Sequence, residues 1–519
     1  MTGLVTSRRA LLQGAALWGA AAAAAPFTRV LGQTSFSNDP FQLGVASGDP
    51  VADGFVIWTR IAPDPFNPEA LPPAALRVGW EVAEDEGMRK IVKKGESWAR
   101  AEMAHAVHID VRGLAPQRPY YYRFHCDGAV SRTGRGMTMP KPGSKVDRLK
   151  FAFTSCAHYE QGYFSTYRDM AAQDPAFILH LGDYIYEVAV ATPVRRHPTT
   201  APPMTLDQYR VFHAAYKLDP DLQAAHAQTS WFFTWDDHEV ANDYSRIESR
   251  ATPPEAFAAR KLAAYKAYYE HMPLRPAAAL TDGAMTMYQR VQFGDLAEFN
   301  ITDARQYRDP LPCRTPDFRG GRDLLETECA EFFDPARTML GKAQEAWLQK
   351  GFARSGARWN VLAHSLMFAD FDQRLGDGWG TFTDSWSGYQ AARGRLMDLV
   401  AARKARNVIT LAGDIHSFFA TEIKQDRINP TAPVLMTEFV TSSVTSVVGD
   451  PEKFDEALVE NPHMKFCDAR KRGYVLCDLS KDVWRADMRA ADNIRERETL
   501  YRTLASFAVE NGKPGPQAA

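Results

Sequence analysis

A chain of 519 residues, 45% of them apolar, carries enough nonpolar side chains for one large core and a smaller second unit, and is too apolar to remain disordered. The 61 Lys and Arg against 63 Asp and Glu leave a formal charge of -2, and no dense basic tract follows the N-terminus, which argues against a polyanion-binding surface and a nucleic-acid partner. Six cysteines are too few to staple a chain of this size.

The first feature in chain order is TSRRALLQGAALWGAAAAAAPFTRVLGQ. Arg8 and Arg9 precede a run without charge from Ala10 to Pro26, then several small-x-small sites. This is the pattern of a twin-arginine export signal over residues 1–32, cleaved between Ala23 and Gln33, rather than an amphipathic helix, because the run has no polar face. It is also short and Ala-rich for a membrane span. The mature protein is expected to be periplasmic or secreted, delivered already folded by the twin-arginine machinery.

Residues 40–142 alternate in short runs, among them FQLGVASGDP, GFVIWTRI, ALRVGWEV, HAVHIDVRGL and YYYRFHC. Period-two alternation broken every ten or so residues predicts a small antiparallel, fibronectin-like β-sandwich. MPKPGSKVDR, Met139 to Arg148, reads as a linker.

From residue 149 to 511 the pattern changes to continuous apolar strands alternating with helices: LKFAFTSC, STYRDMAAQ, AFILHLGD, then WFFTWDD, LAEFNITDAR, ARWNVLAH and NVITLAGDIH. Such strands belong to an α/β unit covered on both faces, where ligands bind at the carboxyl ends of the strands. Val188 to Pro203 reads as a surface insertion over that end. Cys313 with Cys329, and Cys467 with Cys477, each bracket a short segment and are candidate bridges in an oxidising compartment; Cys126 and Cys156 stand apart. Leu500, Leu504 and Phe507 have helical spacing, so Ile494 to Asn511 is expected to dock as a helix on the core or to lie across the site.

Five strand ends carry chemistry where the apolar run stops: Cys156, then Asp183 with Tyr186, Asp237 with His238, His364, and Asp414 with His416. One such residue is a turn or helix cap; five in strands that lie side by side point to one site. No GxSxG elbow stands at any of these ends. A phenol with a solution pKa of about 10 serves as an anionic ligand near neutrality only beside a strong Lewis acid, and a metal would likewise hold Cys156 as thiolate.

GDYIY, WDDHE and GDIHS, with SC upstream and DPDLQAAHA, AAYKAYYEHMPLR, FNITDARQYR, MLGKAQEAWL and ENPHMKFCDARKRGYV between and after them, resemble the PhoD-type alkaline phosphatases. These are relatives of the purple acid phosphatases among the calcineurin-like metallophosphoesterases. The resemblance implies a four-layer α/β/β/α sandwich with a dinuclear centre, in which Asp183 bridges, Cys156, Tyr186 and His416 complete an Fe(3+) site, and Asp237, Asp414 and Asn242 suit Ca(2+). It implies hydrolysis of phosphate monoesters or diesters by a metal-activated hydroxide, with His238 bonding the phosphoryl oxygen or protonating the leaving group. Arg305 is a candidate bidentate clamp on phosphate, oriented by Asp303. One departure is His364, where the family has Gln; an imidazole there is a candidate ligand that would make the second site less calcium-like. The rival activity is a phospholipase D-type phosphodiesterase, and the rival class a non-catalytic periplasmic phosphate-binding protein. A monomer is expected, without a membrane span. DGWGTFTDSW, Asp377 to Trp386, reads as a packed rim.

Overall fold

The computed structural model describes residue 36 and residues 38–519, except 68, 404–406, 427, 428 and 430. The export signal assigned to residues 1–32 lies outside them. Among the described residues no helix is long and apolar enough to cross a membrane.

Two sheets stack face to face. The larger has ten strands in the order Lys513–Ala518, Tyr501–Glu510, Val483–Ala491, Gly473–Ser480, Arg148–Thr154, Phe177–Leu181, Ser230–Thr234, Val45–Val51, Gly54–Arg60 and Ala106–Arg112. The smaller has seven: Gln289–Phe293, Ala297–Ile301, Trp359–Ala363, Val408–Ala412, Val434–Val440, Phe418–Lys424 and Met464–Asp468. Between them lies a core that includes Phe151, Phe177, Phe299, Val361, Ile409 and Trp484. Helices Ser165–Ala172, Leu206–Lys217 and Pro254–His271 pack the outer face of the ten-stranded sheet through Tyr167, Tyr209 and Tyr268. Gly341–Phe352 and Gln390–Arg403 cover the other sheet through Leu348 and Leu396. This is the expected four-layer α/β/β/α sandwich. The neighbouring strands Arg148–Thr154, Phe177–Leu181 and Ser230–Thr234 are parallel, as are Ala297–Ile301, Trp359–Ala363 and Val408–Ala412. Their carboxyl ends therefore fall along one rim, where Ser155 bridges to Ser443 of the opposite sheet.

The N-terminal region is all β, as expected, and part of it is continuous with the larger sheet. Its Ile91–Ala99, Leu76–Ala83 and Pro119–Cys126 strands form a small antiparallel sheet, but Val45–Val51 pairs in parallel with Ser230–Thr234, Ser47 opposite Ser230 and Gly48 opposite Trp231. Three N-terminal strands thus continue the catalytic sheet.

Two expectations are corrected. Cys313 and Cys329 are bonded, whereas Cys467 and Cys477 are free thiols. Cys467 pairs opposite Phe419 in the seven-stranded sheet and Cys477 opposite Phe151 in the ten-stranded one, so the short segment between them crosses from one sheet to the other rather than closing a loop. The C-terminal segment is a strand, Tyr501–Glu510, paired antiparallel with Val483–Ala491. Phe507 and Val509 alternate into the core while Leu500 stays 68% exposed; cross-strand pairing overrides the helical spacing.

Candidate metal centre

The turn after Phe177–Leu181 is set by sterics. Gly182 adopts φ +104, and a Cβ there would lie 2.5 Å from Cβ of Asp236, so only glycine lets the two strand exits run side by side. Four candidate ligands then take left-handed backbone: Cys156 at φ 62, Asp183 at 56, Asp414 at 64 and His416 at 54. Each such residue costs roughly 1–2 kcal/mol, a strain typical of functional sites. Glu239 holds the turns in place, accepting hydrogen bonds from the backbone N–H of Asp183 at 3.1 Å, Tyr184 at 2.6 Å and Asp236 at 2.9 Å.

The side chains converge. Donor atoms of Cys156, Asp183 and His416 lie within 4.8 Å of one another, and so do those of Asp183, Asp236, Asp237 and Asp414. Asp183 belongs to both sets. The Tyr186 hydroxyl is 2.8 Å from Oδ2 of Asp183 and 2.8 Å from Nε2 of His416, close to the edge of about 3 Å that separates adjacent ligands bound about 2.1 Å from one ion.

Electrostatics also fit a cation here. Burial, then Asp183 and Asp414, push the Cys156 thiol well up; burial, then Asp183 and Cys156, do the same to the Tyr186 phenol. Asp414 is raised well above the carboxylate range by burial and by Asp236. Oδ2 of Asp236 and Oδ1 of Asp237 are buried with no hydrogen-bond partner among the described residues. This excess of acids and orphaned oxygens makes a site that could hold multivalent metal, which would draw thiol and phenol into their anionic forms.

His238 stands beside this set. Its Nδ1 is 2.5 Å from Oε2 of Glu187, and its ring stacks on Tyr186 with centroids 4.1 Å apart. Burial opposes its charged form, but Glu187, Asp237 and Asp183 outweigh burial and hold its pKa well above the usual value. The other oxygen of Glu187 accepts the backbone N–H of Asn242 at 2.8 Å, which places that partly buried amide beside His238.

Arg305 is corrected from phosphate clamp to internal anchor. It is 0% exposed, with Nε bonded to Asp236 and Nη1 2.9 and 2.8 Å from the two oxygens of Asp384. Nη2 lies 3.7 Å from Asp237 and 3.8 Å from Asp414, so the guanidinium sits behind the carboxylates. Asp303 accepts backbone N–H groups from Arg305 and Gln306; it orders the turn rather than the guanidinium.

His364 does not fit the part of a metal ligand. Trp386 Nε1–H donates to its Nδ1 at 2.7 Å. Because indole nitrogen is only a donor, Nδ1 must accept, and the neutral ring carries its proton on Nε2. Burial lowers its pKa to about 3 and keeps the ring neutral; it is the Trp386 bond to Nδ1 that leaves a proton rather than a lone pair on Nε2, an atom buried with no hydrogen-bond partner among the described residues. Tyr184 is a packing residue, its hydroxyl 2.8 Å from Nε2 of His226 under the sheet.

Several residues escaped the sequence reading. Asp236 and Glu239 lie inside the WDDHE motif, and Glu187 ends HLGDYIYE, so a signal existed. Asp384 had none: it comes from the run read as a packed rim, yet clusters with Asp237 and Asp243 and pairs with Arg308. The Val188–Pro203 loop is pinned, its Val190 and His197 N–H groups bonded to the Glu160 carboxylate at 2.8 and 3.1 Å.

A four-layer sandwich with metal-capable residues at adjacent strand ends is the architecture of a metallophosphoesterase. The profile described as PhoD-like phosphatase matches residues 151–488, and that of the PhoD-like phosphatase N-terminal domain matches residues 22–140. Alkaline phosphatase D of Bacillus subtilis (strain 168) is 41% identical over 491 residues, covering 93% of this chain and 82% of that protein. A solved structure titled "Structure of PhoD" superposes with a TM-score of 0.88 at 40% identity, covering 94% of this chain and 93% of the other. The chain belongs to the PhoD-like phosphatase family and is a phosphoric ester hydrolase.

Proposed function

We propose that this chain is an exported alkaline phosphatase and phosphodiesterase working at a dinuclear centre of Fe(3+) and a calcium-like ion. The observation that carries the reading is the meeting of a thiol, a phenol, an imidazole and a shared carboxylate, Cys156, Tyr186, His416 and Asp183, within ligand distance of one another. Thiolate, phenolate and imidazole suit iron; the oxygen donors of Asp237, Asp414 and Asn242 suit calcium. When bound, such ions lower the pKa of water and neutralise phosphate oxygens.

The protein's own part is positional. Asp183 joins the two halves of the donor set. His238, held by Glu187, presents Nε2 toward a phosphoryl oxygen or leaving group, as donor in its protonated form. Arg305, paired with Asp236 and Asp384, fixes the carboxylates at the spacing the ions require. Substrates are phosphate monoesters, diesters or both, and no nucleic acid is a standing partner. Delivery outside the cytoplasm by the twin-arginine machinery rests on Arg8 and Arg9, and the working form is a monomer.

The test is elemental analysis with a visible spectrum of protein exported by its own signal. Iron with a phenolate charge-transfer band is expected, lost together with phosphatase activity in Cys156→Ala. An active, colourless, iron-free protein would sink the assignment.

A further inference from the structure

A cavity of about 330 Å³ opens where the N-terminal strands meet the helix layer, within the size range of small-molecule sites. Arg60, Arg210 and His105 line one side, Ile61, Leu71 and Pro73 are among its apolar walls, and the exposed Asp64 and Glu69 also belong to its lining. It is separate from the metal centre. Thr59 pairs with Val45, and Ser47, two residues on, pairs with Ser230 at the start of the strand whose far end leads to Asp236. Arg60 therefore lies at the opposite end of the sheet.

Arg60 is 5% exposed, yet no carboxylate among the described residues forms an ion pair with it. Its Nε donates to the carbonyl of Ala104 at 2.8 Å and its Nη1 meets Nε2 of His271 at 2.8 Å. Nδ1 of His271 is 2.7 Å from the carbonyl of Ala267, an acceptor only, so Nδ1 carries the proton and Nε2 is a neutral acceptor. Nη2 of Arg60 has no hydrogen-bond partner among the described residues. The neighbouring acid, Glu270, is taken by Arg210 through bonds of 2.7 and 2.6 Å. Burial pulls the Arg60 pKa down to about 10, Glu270 opposing and Arg210 adding to the effect; the group is still a cation near neutrality. His105 gives Nδ1 to the carbonyl of Ala99 at 3.2 Å, which leaves its Nε2 as an acceptor.

We propose that this cavity binds a small organic oxyanion, a carboxylate or phosphate head on Nη2 of Arg60 and an apolar body against Leu71, Pro73 and Ile61. A buried guanidinium with no direct ion pair is costly, and a charge-assisted hydrogen bond to an anion relieves that cost. A hydroxyl on the ligand would donate to His105.

Calorimetric titration of the metal-loaded protein with phenylacetate tests this, with phenylphosphonate as a second probe for the head group. One saturable site for phenylacetate is expected, at least about tenfold weaker in Arg60→Met. It should be absent in Ala70→Trp, where an exposed lining residue fills the cavity without touching Arg60. Both variants should keep the iron content and the turnover of nitrophenyl phosphate. Should Arg60→Met fail to fold, Ala70→Trp decides. A flat phenylacetate titration, or binding unchanged by the cavity-filling variant, overturns the proposal; if only phenylphosphonate is lost on filling the cavity, the carboxylate half of it falls.

Discussion

Glu187 and His238 stand 2.5 Å apart, carboxylate oxygen to Nδ1, and this contact decides which nitrogen of the imidazole can face a substrate. With Nδ1 held by a carboxylate, Nε2 is the free position. Glu187→Gln should lower kcat/KM about 10- to 100-fold and leave the iron content unchanged, as read by steady-state kinetics with metal analysis. It should also move the alkaline fall in activity to lower pH, because the carboxylate raises the His238 pKa and its loss lets the ring deprotonate sooner. An unshifted profile would remove His238 from the role of proton donor.

Arg305 lies behind the acids rather than in front of them, and the two placements predict different losses. Arg305→Met would strand the buried carboxylate of Asp236 and leave Asp384 with Arg308 alone, at a cost of about 3–5 kcal/mol, visible as a lower denaturation midpoint and weaker retention of the second metal. A residue acting as a substrate clamp would raise KM and leave stability alone.

His364→Gln should keep both metals, since the ring's Nδ1 is engaged by Trp386 and its Nε2 bears the proton. Loss of one metal equivalent on elemental analysis would reinstate the imidazole as a ligand.

Glu438 makes a stability prediction away from the centre. It is fully buried, and burial pushes its pKa from about 4.5 up to about 7, although the N–H groups of Phe368 and Ala369 and the charge of Arg393 pull it down. The folded state therefore keeps the proton between those values while the unfolded chain has released it. Its contribution is complete below about pH 4.5 and is lost as pH rises to about 7, on the order of 3 kcal/mol in all. Urea unfolding across that interval should show this slope in the native protein and a flatter one in Glu438→Gln; equal slopes would place the titration elsewhere.

Much of the site was legible because buried parallel strands read as unbroken apolar runs, and the first polar residue after each run falls on the rim. Cys156, Asp183, Asp237 and Asp414 were visible for that reason, and Tyr186 and His416 follow two of them within three residues. What stayed hidden depends on contacts between distant segments. Asp384 sits in a Trp-rich loop with no periodicity, and only the fold brings it to Arg305. His364 reads as a ligand until Trp386 is placed against it. The same limit explains the errors in the fold: the ten residues of CDARKRGYVL carry the chain from one sheet to the other, which spacing between Cys467 and Cys477 does not reveal, and the segment with Leu504 and Phe507 takes its conformation from pairing of Tyr501–Glu510 with Val483–Ala491, Phe507 opposite Ala486.

The parallel pairing of Ser47 with Ser230 has a consequence for how the chain is made. The two residues are 183 positions apart, so at roughly 5–20 residues per second the Val45–Val51 strand waits about 10 to 40 s after its synthesis for its neighbour to appear. Until then it is an open sheet edge, the kind of surface that recruits other chains. Cutting the protein at the linker would make that exposure permanent in both pieces, each holding the half of a ladder the other lacks, so the two fragments are built to find one another.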